Sequence, residues 1–209
     1  MAEILTVDEE KPLTDQLEKA LKFLKNGEVI AIPTDTLYGL AALVSDEEAI
    51  KKVYEIKERN IKNPIPILIY SINALDLYAS EILPYAENIA KMFWPGPLTM
   101  IFKPTQLVPQ VICGGRGGVA IRVANYKITS FIINQVGAIT GTSANLSRGD
   151  DPIDAQVVNE QIGNRIKLIV DSGLSLLKKG STVIDVRKRV PELIREGVIP
   201  WPKILSSIL

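Results

Sequence analysis

Short apolar runs alternate with amphipathic segments along nearly the whole 209-residue chain, and this alternation constrains the fold more than any other feature. The runs "EVIAIPT" (28–34) and "IPILIY" (65–70) are typical of buried strands, because they are short, continuous and rich in β-branched residues. The segment "LTDQLEKALKFLKNG" (13–27) has apolar residues at helical spacing and ends in glycine. Strands that alternate with helices predict an α/β or α+β fold.

The rest of the chain continues this pattern without a linker, so we expect one domain covering residues 1–209. The segment 45–59 is predicted to be a helix that begins with a capping box formed by Ser45 and Glu48. Further helices are expected near 72–80, 84–93, 128–136 and 154–162, with a short closing helix in the tail at 200–209. Further strands are expected at 97–102, 118–123, 137–140, 167–171, 181–186 and 192–196.

The charges of the chain balance, since 24 Lys and Arg residues face 24 Asp and Glu residues. No overall field therefore draws the chain to nucleic acid or to an anionic membrane, and a site for a polyanion must be a local cluster. The amino terminus lacks the basic and apolar order of a signal peptide, and no apolar run approaches the ~20 residues that span a bilayer. We expect a cytoplasmic protein with no membrane segment.

Histidine is absent and cysteine occurs once, at Cys113. Histidine-based triads, histidine general bases, disulfides and the usual zinc motifs are therefore excluded. Cys113 has no histidine partner, and we interpret it as a small core residue. Any reaction must use Lys, Arg, Asp, Glu, hydroxyls, amides or a metal held by oxygen ligands.

Hydroxyls and cations stand at or near the ends of several predicted strands. Ligands of open sheets bind in the crevice outside the strand ends, so these groups together predict one lined cavity. Each of them alone would also suit an ordinary turn or a solvated strand end. The residues are Thr34, Arg122, Thr142, Ser143, Ser181 and Arg195.

Three other segments could bind phosphate. Lys57, Arg59 and Lys62 lie where a helix gives way to a loop, although cations there could also serve only the helix dipole. The loop "GTSANLSRGDDP" (141–152) follows a strand, and its backbone amides with Ser143 and Asn145 could form an anion-binding concavity. The run "GGRGG" (114–118) could be a phosphate loop, but a flexible turn between strands explains it equally well.

Taken together, "PTDTLYGL", "KER…NP", "WPGPLT", "VAIRV", "TSAN", "STVIDV" and "LIREG" resemble the YrdC-like family of L-threonylcarbamoyladenylate synthases in order and spacing. The resemblance covers about residues 14–197, and its most specific part pairs K-x-R with S-x-N. It implies a twisted mixed sheet flanked by helices around a deep, positively charged cavity. Longer members carry an extra carboxyl-terminal domain, which we expect this chain to be too short to include.

The resemblance also implies an activity: threonylcarbamoyl-AMP and pyrophosphate form from L-threonine, bicarbonate and ATP. The product would supply N6-threonylcarbamoyladenosine (t6A) in tRNA through a downstream threonylcarbamoyl-transferase complex. Mg²⁺ would arrive with ATP, and the sequence does not indicate its protein ligands. By resemblance, L-threonine would bind to Thr34, Arg122, Gly141, Thr142 and Ser181. Lys57, Arg59, Ser143 and Asn145 would be catalytic and, with Arg195, would bind ATP.

Two alternatives stay open at this point. One is a module of the same fold that binds tRNA or double-stranded RNA directly, which the neutral total charge disfavours. The other is a domain that handles carbamoyl-adenylate, of the kind found inside much longer hydrogenase-maturation proteins. We also expect Lys57 and Arg59 to be surface cations, whose removal would leave the fold nearly intact.

Overall fold

The computed structural model describes residues 1–207 of the chain. The helices predicted from apolar spacing at 13–27, 84–93, 128–136 and 154–162 are confirmed to within two residues at each end. In the predicted tail helix, the last two residues, 208 and 209, lie outside the described residues. The α-helices are α1 (Leu13–Lys25), α2 (Glu47–Ile56), α3 (Leu75–Tyr78), α4 (Pro84–Phe93), α5 (Gln110–Cys113), α6 (Lys127–Val136), α7 (Ala155–Ile162) and α8 (Trp201–Leu205).

The strands are short, and several were not predicted. The strands at 3–6, 39–41, 79–80 and 142–143 are not predicted from the sequence, because strands of two to four residues carry too few positions to display a period of two. The strands are β1 (Glu3–Thr6), β2 (Ile30–Ile32), β3 (Gly39–Ala41), β4 (Ile67–Leu68), β5 (Ala79–Ser80), β6 (Leu98–Pro104), β7 (Val119–Arg122), β8 (Ile139–Thr140), β9 (Thr142–Ser143), β10 (Leu168–Asp171), β11 (Thr182–Asp185) and β12 (Glu192–Arg195).

The predicted capping box of Ser45 and Glu48 is wrong. Asp46 is the N-cap of α2, and its carboxylate accepts a hydrogen bond from the Ala49 N–H at 3.0 Å. Glu48 instead forms an exposed ion pair with Lys51. The prediction of one helix over 72–80 is also wrong, because a 3-10 turn and α3 occupy 72–78 and the chain then extends into β5.

Two mixed sheets form the framework. The smaller sheet has the order β1-β10-β2-β3-β9, and β3 runs antiparallel to both of its neighbours. The larger sheet has the order β12-β11-β6-β7-β4-β8, with β5 pairing outside this path on β6. The predicted mixed sheet flanked by helices is therefore confirmed, although it is divided in two.

The two faces of the larger sheet differ. Leu98, Met100 and Phe102 of β6 point into the main hydrophobic core and are almost completely buried. The alternate residues Thr99 and Ile101 point to the opposite side, where they line a cavity. Because side chains of a strand alternate between faces, one sheet supplies both a core and a binding surface. Among the described residues, no helix is long and apolar enough to cross a membrane.

Candidate active site

A cavity of about 560 Å³ lies on the free face of the larger sheet. The strands β6, β7, β11 and β12 form its floor. The turn at 34–38, between β2 and β3, and strand β9 bring the smaller sheet against the same space. Polar groups from segments far apart in the chain therefore converge in one cleft, as the strand-end pattern predicted.

The buried end of the cavity is lined by Thr34, Thr36 and Arg122 and is organised around the guanidinium of Arg122, which Asp35 contacts. Arg122 is only 5% exposed. Its Nε donates to the Gly96 carbonyl at 2.9 Å, one terminal nitrogen donates to the Thr36 hydroxyl at 2.7 Å, and the other pairs with Asp35. Burial lowers the pKa of Arg122, and the Asp35 carboxylate opposes that effect. Since a guanidinium has five N–H donors, two remain beyond these bonds, one on each terminal nitrogen.

The hydroxyl of Thr34 shapes the turn of this buried end. It donates to the Leu37 carbonyl at 2.6 Å and accepts a bond from the Thr36 N–H at 3.1 Å. Threonine hydroxyls commonly close turns in this way. Asp35 keeps one carboxylate oxygen, Oδ2, buried and without a hydrogen-bond partner among residues 1–207. The turn thus holds Arg122 and Thr36 in fixed positions at the cavity wall.

A pair of hydroxyls lies on the floor of the cavity. The hydroxyl of Thr99 on β6 is 2.7 Å from that of Ser181, which directly precedes β11. Arg195 of β12 donates to the Ser181 carbonyl at 2.8 Å, which ties the edge strand to this pair. The predicted residues Ser181 and Arg195 therefore lie in contact with each other.

Gly141 forms the corner between β8 and β9. Its N–H donates to the Pro66 carbonyl at 2.8 Å. A side chain at this position would come within 2.6 Å of the Leu68 side chain, so only glycine allows the corner to pack on β4. Thr142 and Ser143 follow directly and line the cavity, as predicted.

The exposed end, which we call the rim, carries four cations that form no ion pair among the described residues: Arg59, Arg116, Lys179 and Arg195. Burial lowers the pKa of Arg59, and the charges of Arg116 and Arg195 lower it further. Burial also lowers the pKa of Arg195, whereas Asp151 raises it. These guanidiniums line the same cavity, and an anion bound there would offset the repulsion between their charges.

Lys57 does not line the cavity. The prediction that Lys57 is a surface cation is wrong, because it is only 2% exposed. Its ammonium donates to the Ser143 carbonyl at 2.5 Å and to the backbone and side-chain oxygens of Asn145 at 2.8 and 2.9 Å. These bonds use all three ammonium donors. Burial and then the charge of Arg59 lower the pKa of Lys57 to about 7, although the three oxygen acceptors favour the charged form.

Asn145 is also buried behind the cavity lining and is not part of it. Its side-chain oxygen accepts bonds from Lys57 and from the Ser143 hydroxyl, and its amide nitrogen donates to the carbonyls of Gly149 and Asp150. Lys57 and Asn145 thereby fix the loop that places Ser143 at the cavity surface. The K-x-R and S-x-N motifs are brought together, but only Arg59 and Ser143 reach the cavity.

The structure thus places most predicted site residues on one surface and adds others. Lys62, considered with Lys57 and Arg59, is exposed and outside the lining. Among the described residues, no group of three or more His, Cys, Asp or Glu side chains is arranged to hold a metal ion. The lining also holds polar residues that the sequence did not single out, because a local pattern does not show which way each side chain points: Thr36, Asn63, Thr99, Arg116, Asp151, Lys179 and Glu196.

The fold and this site define a mixed α/β protein with a small-molecule cleft in which guanidinium groups outnumber carboxylates. The sequence profile of the Sua5/YciO/YrdC family, described as "Telomere recombination", matches residues 22–197. The chain belongs to this family, which confirms the resemblance drawn from its motifs.

Its relatives include enzymes of known name. The threonylcarbamoyl-AMP synthase of Pyrococcus abyssi is 39% identical over 190 residues, which are 90% of this chain and 56% of that protein. A putative threonylcarbamoyl-AMP synthase of Methanocaldococcus jannaschii is 32% identical over 194 residues, 91% of each chain. The crystal structure of P. abyssi Sua5 complexed with L-threonine matches with a TM-score of 0.95 and 37% identity over 99% of this chain and 61% of that one. The chain thus spans little more than half the length of its Pyrococcus relative.

Proposed function

We propose that the chain forms threonylcarbamoyl-AMP and pyrophosphate from L-threonine, bicarbonate and Mg²⁺-bound ATP. The observation that carries the proposal is a single cavity that joins a buried arginine-and-hydroxyl end to a cationic rim. Such a cavity suits two ligands of different chemistry, a small zwitterion and a polyanion. The names of the relatives, and the L-threonine bound to the Pyrococcus protein, give further support.

L-threonine would occupy the buried end. The two remaining N–H groups of Arg122 lie on its two terminal nitrogens, which is the arrangement that a carboxylate accepts. The hydroxyls of Thr142 and Ser181 and the corner at Gly141 would surround the rest of the amino acid. Thr34 would contribute by shaping the turn, since its own hydroxyl is already bonded.

ATP would bind along the rim. Arg59 and Arg195 would neutralise phosphate oxygens, and the Ser143 hydroxyl would lie beside them. Lys57 and Asn145 would act from behind, by holding the loop of Ser143 in place. Mg²⁺ would travel with the phosphates and complete its shell with water, so the cleft needs no carboxylate cage of its own.

The reaction then depends on positioning. The threonine amine and bicarbonate give a carbamate with loss of water. An oxygen of that carbamate attacks the α-phosphorus of ATP, the bond from the α-phosphorus to its bridging oxygen breaks, and pyrophosphate leaves with that oxygen. Fixed cations that neutralise the phosphate oxygens can drive such a transfer without histidine. The product would pass to a threonylcarbamoyl-transferase complex that acts on tRNA in the cytoplasm.

The decisive experiment is an omission series. Pyrophosphate release from Mg²⁺-ATP is measured with all components, then without L-threonine, without bicarbonate, and with D-threonine in place of L-threonine. We expect release only in the complete L-threonine reaction. Equal release without threonine contradicts the proposal, and release that requires carbamoyl phosphate instead would assign the chain to carbamoyl-adenylate chemistry.

A further inference from the structure

The run "GGRGG" forms the turn between α5 and β7, and it places Arg116 at the rim. Gly114, Gly115 and Gly117 all have positive φ, at 56°, 72° and 60°. A side chain added at Gly115 or Gly117 would meet no atom within 4 Å, so packing does not require glycine there. The backbone conformation requires it, because L-residues with side chains rarely adopt these angles.

This turn is tied firmly to the larger sheet by Arg187. The guanidinium of Arg187 donates to the carbonyls of Arg116 at 3.1 Å and of Gly117 at 3.0 Å. Arg187 is itself held by the Asp185 carboxylate at the end of β11, with one bond of 2.6 Å and two more near 3 Å. The turn therefore has a fixed backbone, although its glycines leave it open to solvent.

The side chain of Arg116, in contrast, makes few polar contacts with the described residues. Its one hydrogen bond is a long contact of 3.4 Å with the Asn63 side chain, and it makes no ion pair with the described residues. Arg116 and Arg59 line the same cavity at the rim, and the charge of Arg116 lowers the pKa of Arg59. Most of the N–H donors of Arg116 are therefore not used by the described residues.

We propose that Arg116 binds the pyrophosphate portion of ATP together with Arg59, as a substrate-binding residue outside the K-x-R and S-x-N motifs. The identity of the ligand rests on the proposed function. If threonine occupies the buried end near Arg122, the α-phosphate must lie next to it, and one end of ATP must extend toward the rim. Adenosine is uncharged and would not compensate two guanidiniums. The β- and γ-phosphates carry most of the negative charge of ATP, so they are the end expected at the rim.

The test compares affinities for inorganic pyrophosphate and for AMP by titration calorimetry in Mg²⁺ buffer, using the whole chain. The variants are Arg116→Ala, Arg116→Lys and the control Arg189→Ala, which removes an exposed arginine outside the cavity lining. We expect Arg116→Ala to weaken pyrophosphate binding about tenfold, since a charge-assisted bond is lost, and to leave AMP binding unchanged. Arg116→Lys should fall between, because lysine keeps the charge and loses the planar fork.

Several results would overturn the inference: no pyrophosphate binding by the unmodified chain, equal weakening of pyrophosphate and AMP, or the same loss in Arg189→Ala. Thermal unfolding of each variant checks that the fold is intact. Failure of the proposed function is distinguishable, because threonine-independent pyrophosphate release would refute that function and leave the calorimetric difference in place.

Discussion

The two ends of the cavity differ in how far protein groups compensate the charge of an arginine. At the buried end, Arg122 is enclosed by a carboxylate, a hydroxyl and a carbonyl. At the rim, within the part of the chain that the structure describes, the Arg59 side chain donates only to backbone carbonyls and that of Arg116 makes one long contact. A buried charge must be compensated by the protein, whereas a half-exposed charge can remain available for a ligand. We infer that the buried end supplies geometric selectivity and that the rim supplies attraction for a polyanion.

The sharpest way to break this contrast is to remove the buried cation. Arg122→Met should destabilise the fold by about 3–5 kcal/mol, because it leaves the Asp35 carboxylate buried without its partner. Activity should be abolished as well, since the carboxylate of threonine loses its site. Urea unfolding and pyrophosphate release measure the two effects. The double variant Asp35→Asn/Arg122→Met should recover stability but no activity, and stability as low as in the single variant would contradict this account.

Removing a rim cation should lower activity and leave stability nearly unchanged. Arg59→Ala should lower turnover about a hundredfold, roughly 3 kcal/mol of transition-state stabilisation, with little change in the free energy of unfolding. Steady-state kinetics and urea unfolding are measured together. Lys62→Ala is the matched control, because it removes a nearby exposed cation outside the cavity lining. If Arg59→Ala loses activity only in step with unfolding, the rim has no catalytic part.

The selectivity among amino acid substrates tests which groups of threonine the buried end recognises. Serine lacks one methyl group of threonine, and recognition of one methyl discriminates by about 1–3 kcal/mol, or roughly 10–200-fold in kcat/KM. Serine should therefore be a poor but detectable substrate. Valine keeps the shape and loses the hydroxyl, so it should be rejected more strongly if that hydroxyl bonds a buried group. Valine equal to serine would mean that the hydroxyl is not recognised.

Lys57 is buried like Arg122 but has carbonyl partners instead of a carboxylate, and its pKa falls from 10.5 to about 7. Between these values the unfolded chain keeps a proton that the folded chain has released. The free energy of unfolding should therefore rise with pH across this window, by at most about 1.4 kcal/mol per pH unit from this group, and stay flat below pH 7. Urea unfolding from pH 6 to 9.5 measures the slope. The slope should be absent in Lys57→Met, and identical slopes would exclude a shifted lysine.

The smallest expected effect is that of salt, which should change ligand binding at the rim more than at the buried end. Exposed charges are screened within about 10 Å at 0.1 M salt, whereas buried pairs are screened much less. Raising the salt from about 0.05 to 0.5 M should increase KM for ATP several-fold and change KM for threonine little. Initial rates at fixed excess of the other substrates provide both values. A parallel rise in the two constants would show that the ends do not differ electrostatically.

Particular residues show how far sequence reasoning reached. Thr142 and Ser181 were predicted in the cavity because hydroxyls at strand ends converge in such folds, and both line it. Lys57 was misjudged as a surface cation, since helical periodicity places a residue at a helix end but does not reveal which loop folds over it. Arg116 lies in a run with two equal interpretations, and only its place with Arg59 in the cavity lining favours the phosphate loop.

The sequence alone determined the alternation of strands and helices, the exclusion of histidine chemistry and the family, because local spacing and residue identity carry that information. Only the tertiary structure decided which cations line the cavity and which are buried behind its lining. Lys57 and Arg59 are two residues apart, yet one bonds the loop of Asn145 and the other faces the cavity. That difference depends on contacts between segments more than 80 residues apart in the chain, and no local pattern encodes such packing.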